Sequence, residues 1–261
     1  MNRLHALIFD VDGTLAETER DGHRPAFNAA FSELGLDWHW DNALYRRLLD
    51  ITGGKERIRH FAARHAPEMA AGANFEVLVR RLHLAKTAHY VRLVEQRCLP
   101  LRPGIARLID EARQAGIRLA IATTTSPDNV EALLRASLAP EAANWFEVIG
   151  AGDIVAAKKP APDIYCWVLD RLGLPADACL AIEDSENGLK SALTAGLRCL
   201  VTVSEYTAGQ DFAGAEAVVT DLQKTSLADL VAIHGLNRTP AERQQFHKVH
   251  PLAGAAGHEN P

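Results

Sequence analysis

The pattern that most constrains this chain is a series of short apolar runs, most of them followed directly by polar side chains. Six of these runs are predicted to be strands: residues 4–9, 118–123, 148–149, 179–182, 199–203 and 217–219. Predicted helices lie between them, for example over residues 105–115 and 163–172. Short apolar strands that alternate with amphipathic helices are typical of a parallel sheet covered on both faces. The sequence therefore predicts an α/β fold with a Rossmann-like parallel sheet.

Residues 17–97 show a different pattern, because apolar side chains recur there at helical spacing, as in Phe27, Phe31 and Leu34. The first predicted strand precedes this segment and the other strands follow it. We therefore predict an all-helical cap inserted into the α/β core, with linkers that can act as hinges. The predicted parts are a core of residues 1–16 and 98–235, a helical cap of residues 17–97, and a flexible tail of residues 236–261.

Composition excludes several classes of function. The chain has 28 Lys and Arg against 33 Asp and Glu, a net charge of -5 without long runs of one sign, so it offers no basic surface for nucleic acid or an anionic membrane. No apolar run reaches membrane-spanning length, and the first strand starts too early to leave room for a signal peptide. The scattered cysteines are expected to be buried, reduced thiols. We expect a cytoplasmic monomer that acts on a small molecule.

The first predicted strand is followed by Asp10-Val11-Asp12-Gly13-Thr14, at the carboxyl end where open α/β sheets bind ligands. Asp10 and Asp12 lie two residues apart in an extended segment, so both carboxylates can face one site. A carboxylate attacks a phosphoester only if a cation neutralises the charge, which favours Mg²⁺. Asp10 would then form an aspartyl-phosphate, and Asp12 would act as acid and later as base. Alternatively, both aspartates are turn and helix-capping residues.

Three segments that follow later strands supply groups that could act together with Asp10 and Asp12. Thr123 begins a run of hydroxyl side chains, residues 123–126, which suits phosphate oxygens or caps the next helix. Lys159 precedes a proline-rich helix start, where its ammonium could bridge the nucleophile and the phosphoryl oxygens. Glu183 and Asp184 follow another strand beside a helix start, where acids bind metal or cap the helix. Each feature alone has a simple structural explanation, but together they predict a phosphoryl-transfer site.

This ordered set of motifs resembles the haloacid dehalogenase superfamily of phosphotransferases, through about residue 220 of the chain and including the position of the cap. The resemblance implies that Asp10 is the nucleophile and Asp12 the general acid and base. It implies that Thr123 and Lys159 bind phosphate. It also implies a Mg²⁺ site formed by Asp10, the backbone of Asp12, and Asp184.

Further segments resemble the CbbY family, whose members are xylulose-1,5-bisphosphate phosphatases that remove an inhibitor of Rubisco. The segments that carry this resemblance are Thr18-Glu19, Asp21-Gly22-His23-Arg24, Thr52-Gly53-Gly54-Lys55-Glu56-Arg57-Ile58, His83-Leu84-Ala85-Lys86-Thr87 and Ala122-Thr123-Thr124-Thr125-Ser126 with Asn129. Leu84 departs from the pattern, because an arginine or another polar residue is expected there in some relatives. The implied substrate-binding residues are Glu19, His23, Gly53, Gly54, Lys55, Arg57, His83, Lys86, Thr124, Thr125, Ser126 and Asn129.

A bisphosphate needs a second anion pocket beyond Asp10. The backbone of Gly53 and Gly54 can approach an anion closely, and Lys55 and Arg57 add positive charge. Without the resemblance, the two glycines would be interpreted as a helix–helix turn, and the His83 to Lys86 stretch as a solvated helix face.

Other functions stay open at this point. A phosphomutase of the β-phosphoglucomutase type would share the motifs and the cap, and a phosphatase for another small phosphorylated sugar would share the chemistry. A non-catalytic sugar-phosphate sensor is disfavoured, because the acids and the lysine of the site are all intact. The tail histidines His247, His250 and His258 are assigned no role.

Overall fold

A six-stranded sheet forms the centre of the protein, in a computed structural model that describes residues 3–97 and 99–235. Its strands are β1 (Ala6–Phe9), β2 (Arg118–Ala122), β3 (Val148–Gly150), β4 (Cys179–Glu183), β5 (Arg198–Thr202) and β6 (Ala217–Val219). All neighbours are parallel, in the order β3-β2-β1-β4-β5-β6. The predicted parallel α/β sheet is confirmed. The largest difference between a predicted and an observed strand boundary is at β1, which begins at Ala6 and not at residue 4.

A helical unit lies between β1 and β2. Its helices are α1 (Arg24–Glu33), α2 (Asn42–Leu48), α3 (Gly54–His65), α4 (Pro67–Ala70) and α5 (Phe75–Arg97). One π-helical turn, Glu19–His23, leads into α1. The unit has its own aromatic core, in which the ring of Trp40 lies 4.6 Å from Phe27 and 4.8 Å from Phe31, measured between centroids. The predicted helical cap is thus part of the fold, whereas its exact limits stay a prediction.

The remaining helices cover the two faces of the sheet. They are α6 (Ile105–Gln114), α7 (Pro127–Ser137), α8 (Asp163–Leu172), α9 (Glu186–Thr194) and α10 (Leu227–Gly235). Side chains of β1 alternate between the faces: Leu7 and Phe9 pack with α6 and α7, whereas Ala6 and Ile8 pack with α8 and α9. Burial on both faces explains why the strands are apolar throughout. The order of strands reverses at β1, which places a ligand crevice beyond its carboxyl end.

The cysteine prediction is wrong at one position. Cys179 and Cys199 are buried, but Cys166 is exposed. It lies on the outer side of α8, whose inner side carries buried residues such as Tyr165 and Leu169. Cys98 and the predicted tail, residues 236–261, lie outside the described residues. Among the described helices, none combines the length and apolar character needed to cross a bilayer.

Candidate active site

Three carboxylates meet where the adjacent strands β1 and β4 end. Asp10, Glu183 and Asp184 are all buried, and each offers an oxygen within 4.8 Å of the others. Lys159, which lies in the loop before α8, places its Nζ 2.6 Å from Asp10 Oδ1 and 2.6 Å from Glu183 Oε1. A third donor bond of this ammonium, to the carbonyl of Ala122 at 2.9 Å, fixes it beneath the end of β2. The site therefore holds three acids and a single directly bonded lysine.

Burial gives this acidic cluster unusual proton affinities. It raises the pKa of Asp10 to about 8, with Glu183 and Asp12 acting in the same direction and Lys159 opposing. Burial also raises the pKa of Asp184 well above its usual range, and Asp10 adds to this effect. Three carboxyl groups thus share one lysine, and without a further cation their burial and mutual repulsion disfavour the ionised forms of Asp10 and Asp184. Oxygen-only donors of this kind suit a hard divalent cation, and Glu183 Oε2 has no hydrogen-bond partner among the described residues, so the residues present fit Mg²⁺.

Asp12 turns its carboxylate away from that cluster and toward the cap. Its Oδ1 accepts a hydrogen bond from Thr18 Oγ1 at 2.5 Å and lies 2.8 Å from His23 Nε2. The other ring nitrogen of His23 lies 2.8 Å from Lys86 Nζ. Burial alone would raise the pKa of Asp12, but His23 and Thr18 outweigh it and lower the pKa to about 2. The π-helical turn that carries His23 thus links the strand-end acid to the buried lysine of α5.

The hydroxyl run after β2 lines the site and does not cap α7. Ser126 occupies the N-cap position, yet its side chain makes no capping bond. Thr123 Oγ1 accepts a bond from the Thr125 N–H at 3.3 Å. Asn129 donates to Thr125 Oγ1 at 3.1 Å from the first turn of the helix. Buried threonines in this loop are therefore held by local bonds and by Asn129.

Two adjoining cavities lie between the sheet and the cap. The larger, about 270 Å³, is lined by Asp10, Asp12, Glu19, Arg57, Thr123, Thr124, Lys159 and Asp184, among others. The smaller, about 30 Å³, is lined by Asp12, Glu19, His23, Gly53, Gly54, Arg57, His83, Lys86, Thr124, Thr125 and Ser126 together with Phe27. Several residues line both cavities, so the two cavities adjoin. Lys55 and Asn129 are the sequence-predicted site residues that line neither cavity.

The basic side chains of the cap differ in the contacts that they already make with other groups of the protein. Arg57 is buried and donates to the carbonyl of Leu48 at 3.1 Å and to the hydroxyl of Tyr45 at 3.0 Å. Lys55 reaches across to the core and pairs with Asp153, in the loop after β3. Burial lowers the pKa of His83 to about 3, so this ring is neutral near pH 7 and adds no charge to the smaller cavity.

Several residues around the site were missed by the sequence analysis. Ser204 and Tyr206, in the loop after β5, line the larger cavity, and the Tyr206 ring lies 6.0 Å from that of Tyr45 in the cap. Asn187 donates to Thr52 Oγ1 of the cap at 3.2 Å. The end of β5 lies at the same edge of the sheet as the other motifs, so the rule that singled out those strand ends applies to it as well.

A Rossmann-like sheet with an inserted helical cap, and an acid–lysine cluster at its switch point, defines a phosphohydrolase of the haloacid dehalogenase type. The family model of haloacid dehalogenase-like hydrolases matches residues 4–196. The chain belongs to this family and is an enzyme, a phosphoric monoester hydrolase.

Within that family the similarity to CbbY proteins is high. The plasmid-encoded CbbY of Cupriavidus necator is 53% identical over 219 residues, which cover 84% of this chain and 86% of the relative. The crystal structure of CbbY from Rhodobacter sphaeroides in complex with phosphate is 49% identical, with a TM-score of 0.79, and covers 87% of this chain and 99% of that one. A variant of that protein was solved in complex with xylulose 1,5-bisphosphate, at 48% identity and the same TM-score of 0.79. The chain is therefore a member of the CbbY family, and this prediction is confirmed.

Proposed function

We propose that this chain is a Mg²⁺-dependent sugar-bisphosphate phosphatase that hydrolyses xylulose 1,5-bisphosphate to xylulose 5-phosphate and phosphate, and so removes an inhibitor of Rubisco. The observation that carries the proposal is the pair of adjoining cavities, one around Asp10 and one beneath the cap. A bisphosphate has an anionic group at each end. Gly53, Gly54 and Lys86 offer backbone N–H groups and positive charge at the cap end. The relative solved with xylulose 1,5-bisphosphate supports the same substrate.

In the proposed reaction, an oxygen of Asp10 attacks phosphorus, forming an O–P bond as the bond to the sugar oxygen breaks. Lys159 holds the attacking carboxylate through its 2.6 Å bond and adds positive charge where phosphoryl charge develops. When bound, Mg²⁺ would neutralise the acidic cluster and orient the phosphoryl oxygens. Asp10, Asp184 and the backbone of Asp12 would hold it, while the bonds from Lys159 and Tyr165 keep Glu183 in place beside them.

Asp12 would give a proton to the leaving sugar oxygen and later take one from the water that cleaves the aspartyl-phosphate. Its pKa of about 2 means that it is ionised before substrate binds. A phosphate group next to this carboxylate raises its pKa, because like charges disfavour ionisation. Substrate binding therefore shifts Asp12 toward the protonated form that a general acid needs, with His23 and Thr18 at hydrogen-bond distance to orient it.

The test is phosphate release from a panel of sugar bisphosphates. We expect fast Mg²⁺-dependent release from xylulose 1,5-bisphosphate and far slower release from ribulose 1,5-bisphosphate. Equal rates on the two would contradict the assigned substrate. Isomerisation of β-glucose 1-phosphate without net phosphate release, in the presence of a bisphosphate primer, would instead favour a phosphomutase.

A further inference from the structure

Arg102 is a buried arginine in the second linker between the cap and the sheet, and only 7% of it is exposed. Its backbone N–H donates to the carbonyl of Leu15 at 2.8 Å. The preceding residue, Leu101, forms an antiparallel bridge with Ala16, the last residue of the core before the cap. The chain therefore leaves and re-enters the core side by side, and Arg102 is anchored at the point of re-entry.

The Arg102 guanidinium donates four hydrogen bonds to backbone carbonyls and forms one ion pair. Nη1 donates to two carbonyls, Nη2 donates to two others, and Nε lies 3.2 Å from a carboxylate. The acceptors are the carbonyls of Gly13, Thr202 (2.7 Å), Val203 (2.7 Å) and Thr220 (2.6 Å) and the carboxylate of Glu17. A buried cation is tolerated only when it is hydrogen-bonded and paired, and here four hydrogen bonds and the charge of Glu17 meet that need. The side chain thus joins the loops that follow β1, β5 and β6.

Two of these contacts adjoin the metal-binding edge of the site. Val203 precedes Ser204, whose hydroxyl donates to Asp184 Oδ2 at 2.7 Å. Gly13 packs against the same carboxylate so closely that a Cβ on it would lie 2.1 Å from Oδ2. The guanidinium therefore holds in place two neighbours of the Asp184 side chain. Gly13 also follows Asp12 directly, so its carbonyl bond fixes the turn that carries this second proposed ligand.

We propose that Arg102 is a positioning residue for the metal-binding acids, which acts through Gly13 and Ser204. The inference rests on the proposed Mg²⁺ site and adds a residue that forms no hydrogen bond or ion pair with the three clustered carboxylates, although its positive charge lies near enough to act on Asp184. Lysine cannot replace it fully, because an ammonium has three donors and no planar fork to reach five acceptors. Groups that orient metal ligands typically change metal affinity by about 10- to 100-fold when they are removed.

The direct test is Mn²⁺ binding to the full chain without substrate, measured by electron paramagnetic resonance of the free ion. We expect Arg102→Met to weaken Mn²⁺ binding by about tenfold or more, and Arg102→Lys to lie between it and the wild type. We also expect kcat for the sugar bisphosphate to fall while KM changes little, because Arg102 lines neither cavity. A Mn²⁺ affinity equal to that of the wild type in a folded Arg102→Met protein would overturn the inference.

Arg107 provides a matched control. It also donates to backbone carbonyls, those of Leu222 at 2.9 Å and Thr225 at 2.8 Å, but no bond from it to Gly13 or the end of β5 is present. Arg107→Met should therefore keep the Mn²⁺ affinity of the wild type. An equal loss of affinity in the Arg102 and Arg107 variants would point to general destabilisation and overturn the inference.

A second variant decides the matter if Arg102→Met does not fold. Ser204→Ala removes only the hydroxyl that donates to Asp184, and we expect it to weaken Mn²⁺ binding; an unchanged affinity would overturn the inference. If Mn²⁺ binding depends on Arg102 as stated and no sugar bisphosphate is hydrolysed, the proposed substrate fails while the positioning role stands. Absence of Mn²⁺ binding to the wild type would overturn both.

Discussion

Lys159 and Asp10 form a buried ion pair in which Nζ lies 2.6 Å from Oδ1. The same ammonium is shared with Glu183, at 2.6 Å, on the neighbouring strand. Burial would lower the pKa of Lys159, but the two carboxylates outweigh it and raise the pKa above its ordinary value. The lysine therefore stays charged near neutral pH and holds the proposed nucleophile in one orientation.

The first prediction concerns the nucleophile itself. Asp10→Asn should reduce phosphate release by at least about 10³-fold, because the amide keeps the volume of the side chain but cannot attack phosphorus. Thermal unfolding should show an intact fold, since the change removes one charge from a crowded acidic cluster. Asp170→Asn makes the same chemical change at an exposed position of α8 and should leave the rate unchanged. A rate near that of the wild type in Asp10→Asn would refute the nucleophile assignment.

The clustering of the strand-end residues could be predicted from the sequence because it follows from topology. Once Asp10, Thr123 and Asp184 are recognised as residues that follow parallel strands, the sheet brings them to one edge. Lys159 can be placed by the same reasoning, because it precedes α8, which packs against β2 and β3. The positions of these residues could be predicted without knowing the contacts that the cap makes.

Contacts between the cap and the core could not be predicted in the same way. The pairing of His23 with Asp12 depends on a π-helical turn, and the pairing of Lys55 with Asp153 on how the cap lies over the sheet. Arg102 stands in a linker whose composition signals no chemistry, and its five acceptors come from segments far apart in the chain. Such contacts arise from tertiary packing, which leaves no periodic pattern in the sequence.

The second prediction separates two roles for Lys55. Its partner Asp153 is 59% exposed, so the ion pair itself contributes about 0–1 kcal/mol to stability. If Lys55 moves from Asp153 to a substrate phosphate, Lys55→Met should raise KM for the bisphosphate, whereas Asp153→Asn should lower it or leave it unchanged. Steady-state kinetics of both variants provide the measurement. A similar rise of KM in the two variants would mean that the pair acts as a latch between cap and core.

The third prediction concerns pH and Lys86. Burial lowers the pKa of Lys86 to about 8, although Asp12 and Glu19 oppose this effect. The free enzyme then loses a positive charge in the smaller cavity as pH rises above about 8, and kcat/KM for the bisphosphate should fall there. Lys86→Arg keeps its charge and should remove this part of the pH profile, whereas Lys86→Met should lower kcat/KM at pH 7 by about tenfold. An identical decline in the wild type and Lys86→Arg would assign it to another group.

The fourth prediction concerns the effect of the same lysine on stability. Because the pKa of Lys86 in the folded protein lies below its ordinary value of 10.5, folding disfavours its charged form. The stability linked to this group is present above pH 10.5 and is lost as pH falls through about 8. Lys86→Met should therefore unfold at a higher temperature than the wild type at pH 7, and the difference should shrink between pH 8 and 10. A difference that grows with pH would contradict the assigned pKa.

The last prediction concerns the close packing of Gly188 in α9 against Glu183. A Cβ on Gly188 would lie 1.9 Å from Glu183 Oε2, so Gly188→Ala must displace a carboxylate that also accepts from Lys159. We expect a loss of about 1–3 kcal/mol in the free energy of unfolding, together with a lower kcat as Lys159 shifts from Asp10. Gly235→Ala is the control, because no atom of the described residues lies within 4 Å of a Cβ there and its stability should change by only a few tenths of a kcal/mol. If both variants kept wild-type stability and kcat, Glu183 would be free to move without disturbing the ammonium, and its proposed part in holding Lys159 would be wrong.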